Sequence, residues 1–243
     1  MKAMFLDLST CIGCRACQVA CKEWNELPAV DTHQTGTYQN PPGLSGDTWK
    51  QVKFIQRESP AGEPSWIFYS DSCKHCADAP CMSACPTGAI QKTPEGHVLV
   101  RTEVCNGNRH CVTACPFHVI EISSKTGSAS KCTFCHDRVG AGMEPACSQV
   151  CPTDCITFGE RDELLARAKA RLGVVRERGG DRSSLYGEHE LGGLGVFYLL
   201  TEPPETYGLP RAPVEPRSRL WPAACAAASA AAVVALLALV LLA

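Results

Sequence analysis

The stretch CIGCRACQVAC, residues 11–21, places Cys11, Cys14, Cys17 and Cys21 at the spacing C-x2-C-x2-C-x3-C. Three further groups echo it. CKHCADAPCMSACP supplies Cys73, Cys76, Cys81 and Cys85, followed by Pro86. CNGNRHCVTACP supplies Cys105, Cys111 and Cys115, then Pro116, and CTFCHDRVGAGMEPACSQVCP supplies Cys132, Cys135, Cys147 and Cys151, then Pro152. Of 243 residues 17 are cysteine, and only Cys155 and Cys225 stand outside these groups. So many thiols have three ordinary uses: a disulfide framework, structural zinc or iron–sulfur clusters.

Spacing decides among them. A disulfide framework goes with export, and the opening MKAMFLDLSTC has no charged segment followed by an apolar run. Zinc sites use C-x2-C pairs separated by a longer gap and seldom crowd four cysteines into eleven residues. C-x2-C-x2-C-x3-C followed by proline is instead the bacterial ferredoxin signature. Its tight loop turns three thiolates toward one cluster, and its fourth cysteine points at the neighbouring cluster. Glycines such as Gly13 and Gly107 suit a loop whose backbone N–H groups approach inorganic sulfide.

Four clusters need sixteen thiolates, three from one group and one from its partner. Pairing the outer groups and the inner groups gives a first set of Cys11, Cys14, Cys17 and Cys151, and a second of Cys132, Cys135, Cys147 and Cys21. The third set holds Cys73, Cys76, Cys81 and Cys115. The fourth holds Cys105, Cys111, Cys85 and position 108, which is Asn108. A neutral amide is a poor iron ligand beside thiolates. The expectation is three [4Fe–4S] clusters plus one [3Fe–4S] cluster, with an Asn- or solvent-ligated [4Fe–4S] cluster and an empty fourth site as the alternatives. His110 reads as an outer neighbour of that site rather than a ligand. Cys155 reads as a small buried hydrophobe rather than a ligand, and Cys225 has no ligand spacing.

This gives an α+β fold of two interleaved bacterial-ferredoxin-like dicluster units with a C-terminal transmembrane helix. Residues 1–72 and 121–202 form the outer unit, into which residues 73–120 insert as the inner unit. TWKQVKFIQR and SWIFYS are strands of a hairpin on the cluster core, and HVLVR (97–101) and CITFG (155–159) are short strands. RDELLARAKARLG is an amphipathic helix with Leu164, Leu165, Ala168 and Leu172 on one face and Gly173 at its end. Residues 203–219 hold five prolines and read as an extended linker. Residues 220–243 carry no charge, and the 22 from Pro222 onward would make about 33 Å of helix, enough to cross a bilayer. A buried helix of a soluble protein is the alternative for that tail. Trp221, with Arg211, Arg217 and Arg219, flanks one side of the proposed span.

Composition narrows the function. A net charge of −2 and 20% charged residues argue against nucleic-acid binding and disorder. No nucleophile–base pattern, phosphate loop or zinc-hydrolase spacing is present, so the chain reads as a non-catalytic electron carrier.

CIGCRACQVACKEWN, GTYQNPP, KCTFCHDRVGAGMEPAC, FGERDELLA and YGEHELGG together resemble the iron–sulfur beta subunits of formate dehydrogenases, within the four-cluster electron-transfer subunits of molybdopterin oxidoreductases. The resemblance covers residues 1–205. It implies a partner catalytic subunit with molybdenum or tungsten on a pterin, which interconverts formate and CO2. It implies a second partner, a membrane cytochrome b or quinone-reactive subunit, and a single-pass anchor in the cell membrane. The outer pair of groups would lie nearer the catalytic subunit and the Asn108 site nearest the membrane. Formate-type members have cysteine at that position, whereas nitrate reductase beta subunits have a non-cysteine residue and a [3Fe–4S] cluster there. The same relay role in a thiosulfate, polysulfide, dimethyl sulfoxide or nitrate reductase, or in a hydrogenase, is the alternative. The arginines beside the tail favour a cytoplasmic core, but partner-assisted export is known in this family, so the side is left open.

Overall fold

The computed structural model describes residues 1–58 and 62–215. Two layers of core organise it, divided by a four-stranded sheet that the cysteine pattern did not announce. Strand β1 (Lys2–Asp7) lies at its centre, paired with strands from the far end of the chain. Helix α1 (Ala16–Trp24) follows the first cysteine loop, and then comes a long hairpin of β2 (Lys50–Glu58) and β3 (Pro64–Ser72). These two pair antiparallel from Lys50 opposite Ser72 to Glu58 opposite Pro64, as the alternating sequence leads one to expect.

The middle of the chain is built of very short elements, each too small to stand without the groups it surrounds. They are α2 (Pro80–Ser83), β4 (Ile90–Lys92), β5 (Val98–Val100), α3 (His110–Ala114), β6 (Glu121–Ile122), β7 (Ala129–Ser130), α4 (His136–Gly140) and α5 (Ala146–Gln149). β4 pairs with β5 and β6 with β7, each an isolated antiparallel ribbon. Strand β8 (Ile156–Glu160) then returns to the main sheet, followed by α6 (Arg161–Glu177), β9 (Ser184–Tyr186) and β10 (Val196–Leu200).

The order β8-β1-β10-β9 has β1 parallel to β10 and antiparallel to β8. Both faces are covered, and strand alternation sorts the side chains between them. Met4, Leu6, Val196, Tyr198 and Leu200 point into the layer that holds the cysteines. Ala3, Phe5, Phe197 and Leu199 point the other way, onto Leu164 and Ala168 of α6, with Leu165, Leu172 and Val175 at the margin. Phe5 and Phe197 stack at 5.4 Å between ring centroids. The sheet is therefore a wall with a lipophilic clamp behind it. Phe197→Ala is expected to cost about 3–5 kcal/mol, read as a lowered urea midpoint, because it opens a cavity in the second core and removes the stack on Phe5.

Two sequence expectations are corrected here. Helix α6 does not stop at Gly173 but runs through it to Glu177. Val175 packs onto the second core, and the left-handed φ of +90° that ends a helix falls at Gly179. The proline-rich stretch is not a free linker over its first half. Pro204–Tyr207 forms a 3-10 turn, Tyr207 and Leu209 are buried in the main core, and Tyr186 donates its phenolic hydrogen bond to the Pro210 carbonyl at 2.8 Å. Apolar anchors between the prolines outweigh the extended preference of the prolines themselves. The expected membrane span, residues 220–243, lies outside the described residues. Among the described residues no helix is long and apolar enough to cross a membrane.

Candidate cluster-binding site

Each of the four cysteine groups contains one pair four residues apart: Cys17 and Cys21, Cys81 and Cys85, Cys111 and Cys115, Cys147 and Cys151. Such a pair shares one helix face about 6 Å apart along the axis. Helix α1 thus turns Cys17 toward one centre and Cys21 toward the next. The other pairs begin on α2, α3 and α5 and run just past their ends. The crossed ligand pattern expected from the sequence would follow from this one turn of helix.

The structure gathers the first set around one cavity, lined by Cys11, Cys14, Cys17 and Cys151 together with Val52, Ser70, Thr153 and Cys155. Cys21 lies within electrostatic reach of Cys132, Cys147 and Cys135. Cys76 is grouped in the same way with Cys73, Cys81 and Cys115. A second cavity is lined by Cys85, Cys105, Cys111 and Asn108. All sixteen cysteines of the described residues are free thiols. Neighbouring sets also touch electrostatically: Cys17 acts on Cys147, Cys73 on Cys132, and Cys111 on Cys81. The four sets therefore run in the order first, second, third, fourth. Every cysteine of the middle two is buried, whereas Cys14 in the first set and Asn108 in the fourth are exposed.

The donor chemistry suits an iron–sulfur core. Backbone N–H groups point at sulfur: His75 at Cys73 (3.5 Å), Phe134 at Cys132 (3.4 Å) and Ala129 at Cys105 (3.3 Å). Such donors favour anionic sulfur. Burial among like groups pushes Cys132, Cys135 and Cys147 up to about 11, and Cys81 to about 12. These thiols become thiolates only when a cationic core displaces their protons, so loading and deprotonation are coupled. Among the described residues no three His, Cys, Asp or Glu side chains converge as ligands of a lone ion would.

The first and fourth loops share a backbone. Gly13 and Gly107 have φ of +68° and +70°, and the residues two positions on, Arg15 and Arg109, have +64° and +65°. A Cβ at Gly13 would strike the Phe68 ring at 2.7 Å, and one at Gly107 would strike the Gly127 carbonyl oxygen. Position 108 is thus built as position 14 is, with an amide in place of a thiol. The Asn108 Oδ1 accepts the His110 N–H at 3.2 Å, an Asx turn that opens α3. His110 itself is exposed.

Cys155 is buried in the main core, as its sequence reading expects, but its place there carries more than packing. It lines the first cavity beside Cys11 and Cys151 and acts on the acidity of both. The Cys155 contact, largest among the causes, brings Cys151 down to about 5 and Cys11 to about 7. The same two neighbours and its burial hold the Cys155 thiol well above its ordinary value, so it stands as a protonated thiol beside two sulfurs of the first set. The signal was present as an internal repeat. CPTGAI, CPFHVI and CPTDCI align, and Cys155 stands where Ala89 and Val119 stand in the other two.

Residues 64–161 match a family model described as a 4Fe-4S dicluster domain, and residues 10–89 match a second with the same description. Among curated proteins the chain is similar to the nitrate-inducible formate dehydrogenase iron-sulfur subunit of Escherichia coli, 40% identical over 90% of this chain and 76% of that one. It is 38% identical to the formate dehydrogenase iron-sulfur subunit of Haemophilus influenzae, over 87% of this chain and 69% of that one. It is also 38% identical to formate dehydrogenase 2 subunit beta (cytochrome c-553) of Nitratidesulfovibrio vulgaris, over 85% and 96%.

Proposed function

Since the chain belongs to the family of formate dehydrogenase iron–sulfur subunits, we propose that it passes single electrons between a molybdenum- or tungsten-pterin catalytic subunit and a membrane cytochrome b or quinone-reactive subunit. The observation behind this reading is the line of four cysteine sets with its two ends at the surface and its middle buried. When bound, iron–sulfur clusters supply one-electron redox chemistry that no side chain here provides. The protein supplies fifteen thiolates, the insulation around them and the donors that set their basicity. Cys11, Cys14, Cys17 and Cys151 would hold the first [4Fe–4S] cluster, Cys132, Cys135, Cys147 and Cys21 the second, and Cys73, Cys76, Cys81 and Cys115 the third.

Cys85, Cys105 and Cys111 would hold the fourth. The Asn108 amide oxygen is engaged by the His110 N–H, and a neutral amide is the weaker ligand in any case, so this site fits a [3Fe–4S] cluster. The charge-free segment 220–243 would anchor the chain in the cell membrane. A second reading replaces the membrane acceptor with a c-type cytochrome, favoured by the name of the Nitratidesulfovibrio relative.

The test is to purify the chain alone and in its native complex. The lone chain is expected to carry iron and acid-labile sulfide and to oxidise no formate, while the complex reduces a quinone analogue with formate. Formate oxidation by the lone chain, or a different substrate for the co-purifying large subunit, would sink the proposal.

A further inference from the structure

Two lysines are buried without a carboxylate. Lys50 and Lys131 are 2% and 3% exposed, and among the described residues neither forms an ion pair. Their hydrogen bonds go to neutral oxygens: Lys50 to Ser72 Oγ at 3.5 Å, Lys131 to the carbonyls of Val98 and Cys132. Lys74, by contrast, is equally buried but held by Asp71. A buried ammonium without a counter-charge is costly, so an unpaired one implies an anion that compensates it.

Their places in the fold say which anion. Lys50 and Val52 share the inner face of β2, and Val52 lines the cavity of the first set. Across the hairpin from Val52, Ser70 reaches Cys17 Sγ at 3.4 Å. Lys50 acts electrostatically on Cys11 and Cys17 of the first set and on Cys21 and Cys147 of the second. Lys131 acts on Cys132 of the second set and Cys81 of the third. One unpaired ammonium therefore stands at each of the first two gaps in the line. Burial works to lower the Lys50 pKa, but the sulfurs of Cys147 and Cys17 more than offset this and hold it above the ordinary value.

We propose that Lys50 is a positioning residue whose fixed charge raises the reduction potentials of the first and second cluster sites together, with Lys131 doing the same for the second and third. The inference rests on the relay reading above. Four thiolates outweigh the positive iron–sulfide core, so each loaded set is an anion that gains a further negative charge on accepting an electron. A cation between two such sites favours the reduced form of both, since net charge near a cluster sets its potential. No bond forms and no proton moves; the lysine keeps its proton while the electron passes.

The experiment is a redox titration of the intact complex followed by electron paramagnetic resonance, with Lys50→Met, Lys50→Arg and Lys131→Met beside the wild type. Lys50→Met is expected to lower the midpoint potentials of two centres, each by a tenfold or larger change in reduction equilibrium, about 59 mV for a one-electron couple. The remaining two should stay in place, and Lys50→Arg should stay near wild type. Lys131→Met should move a different pair that shares one centre with the first. If Lys50→Met fails to assemble, Lys50→Gln takes its place with the same expectation. Unmoved potentials in a fully loaded neutral variant, an equal shift of all four centres, or an Arg variant that behaves as the Met one would overturn the inference while leaving the relay intact. A wild-type complex without iron–sulfur signals from this chain would remove the relay reading and this inference with it.

Discussion

Asn108→Cys is expected to convert the fourth centre from [3Fe–4S] to [4Fe–4S]. The oxidised wild type should show the paramagnetic signal of a three-iron cluster, and the variant should lose it and gain about one iron per chain. The structure makes this a small change. The loop already has the backbone of the first one, with Gly107 and Arg109 matching Gly13 and Arg15 in φ, so a thiol at 108 occupies the position that Cys14 occupies in the first set. What is lost is the Asx turn from Asn108 Oδ1 to the His110 N–H, an exposed hydrogen bond worth about 1 kcal/mol. A wild-type protein with four four-iron signals and no three-iron signal would refute the missing-ligand argument. The potential of that centre should fall in the variant, since cluster type and charge set it, and electron delivery from the far end should change accordingly.

The second large effect lies in the middle of the line. Removing Cys132 and Cys135 together, as alanines, leaves the second set with Cys21 and Cys147, too few thiolates to hold a cluster. Iron and sulfide should fall by about one cluster per chain. In the complex, formate should still reduce an artificial dye at the catalytic subunit, whereas reduction of a quinone analogue should fall to background. Stability should fall as well. The second set is buried beneath α1, α4 and α5, and helices of four or five residues do not persist alone. Because binding energy of an embedded metal centre is folding energy, a loss of several kcal/mol and a melting temperature lower by about 10 °C are expected. Unchanged quinone reduction in that variant would mean that electrons do not pass through the second set.

These two substitutions differ in what the sequence says about them. The ligand arithmetic that singles out Asn108 needs only the C-x2-C-x2-C-x3-C spacing and the count of sixteen. Spacing is informative here because the loop and the following helical turn are local: three thiols within seven residues can reach one centre, and the pair four apart must span two. The β2–β3 hairpin was legible for the same reason, since alternation and a short turn act between sequence neighbours. Helix α6 was legible in its apolar face but not in its length. Gly173 is tolerated inside it because Val175 packs onto the clamp, and that contact is tertiary.

Of the sheet that carries the whole arrangement only β8 was legible, as the strand CITFG. KAMFLD and VFYLL give no alternation of apolar and polar residues, because both faces of β1 and β10 are covered. Their partnership joins residue 4 to residue 196, and no local pattern encodes a pairing over that separation. Cys155 and Lys50 belong to the same class. In sequence one is a small residue after a turn and the other a charged residue opening a strand. Only packing shows that the first lies beside two sulfurs of the first set and that the second is shut away between two sets with no carboxylate beside it.

By itself, then, the sequence pointed to the chemistry: iron–sulfur clusters held by fifteen cysteines in four spaced groups, with an amide where the spacing calls for a thiol, because ligand geometry is written in short spacings. The tertiary structure decided the order of those sets, which ends reach the surface, and which spare thiol and ammoniums lie among them. Those are matters of distance between residues far apart in the chain, fixed when the first and last strands close into one sheet.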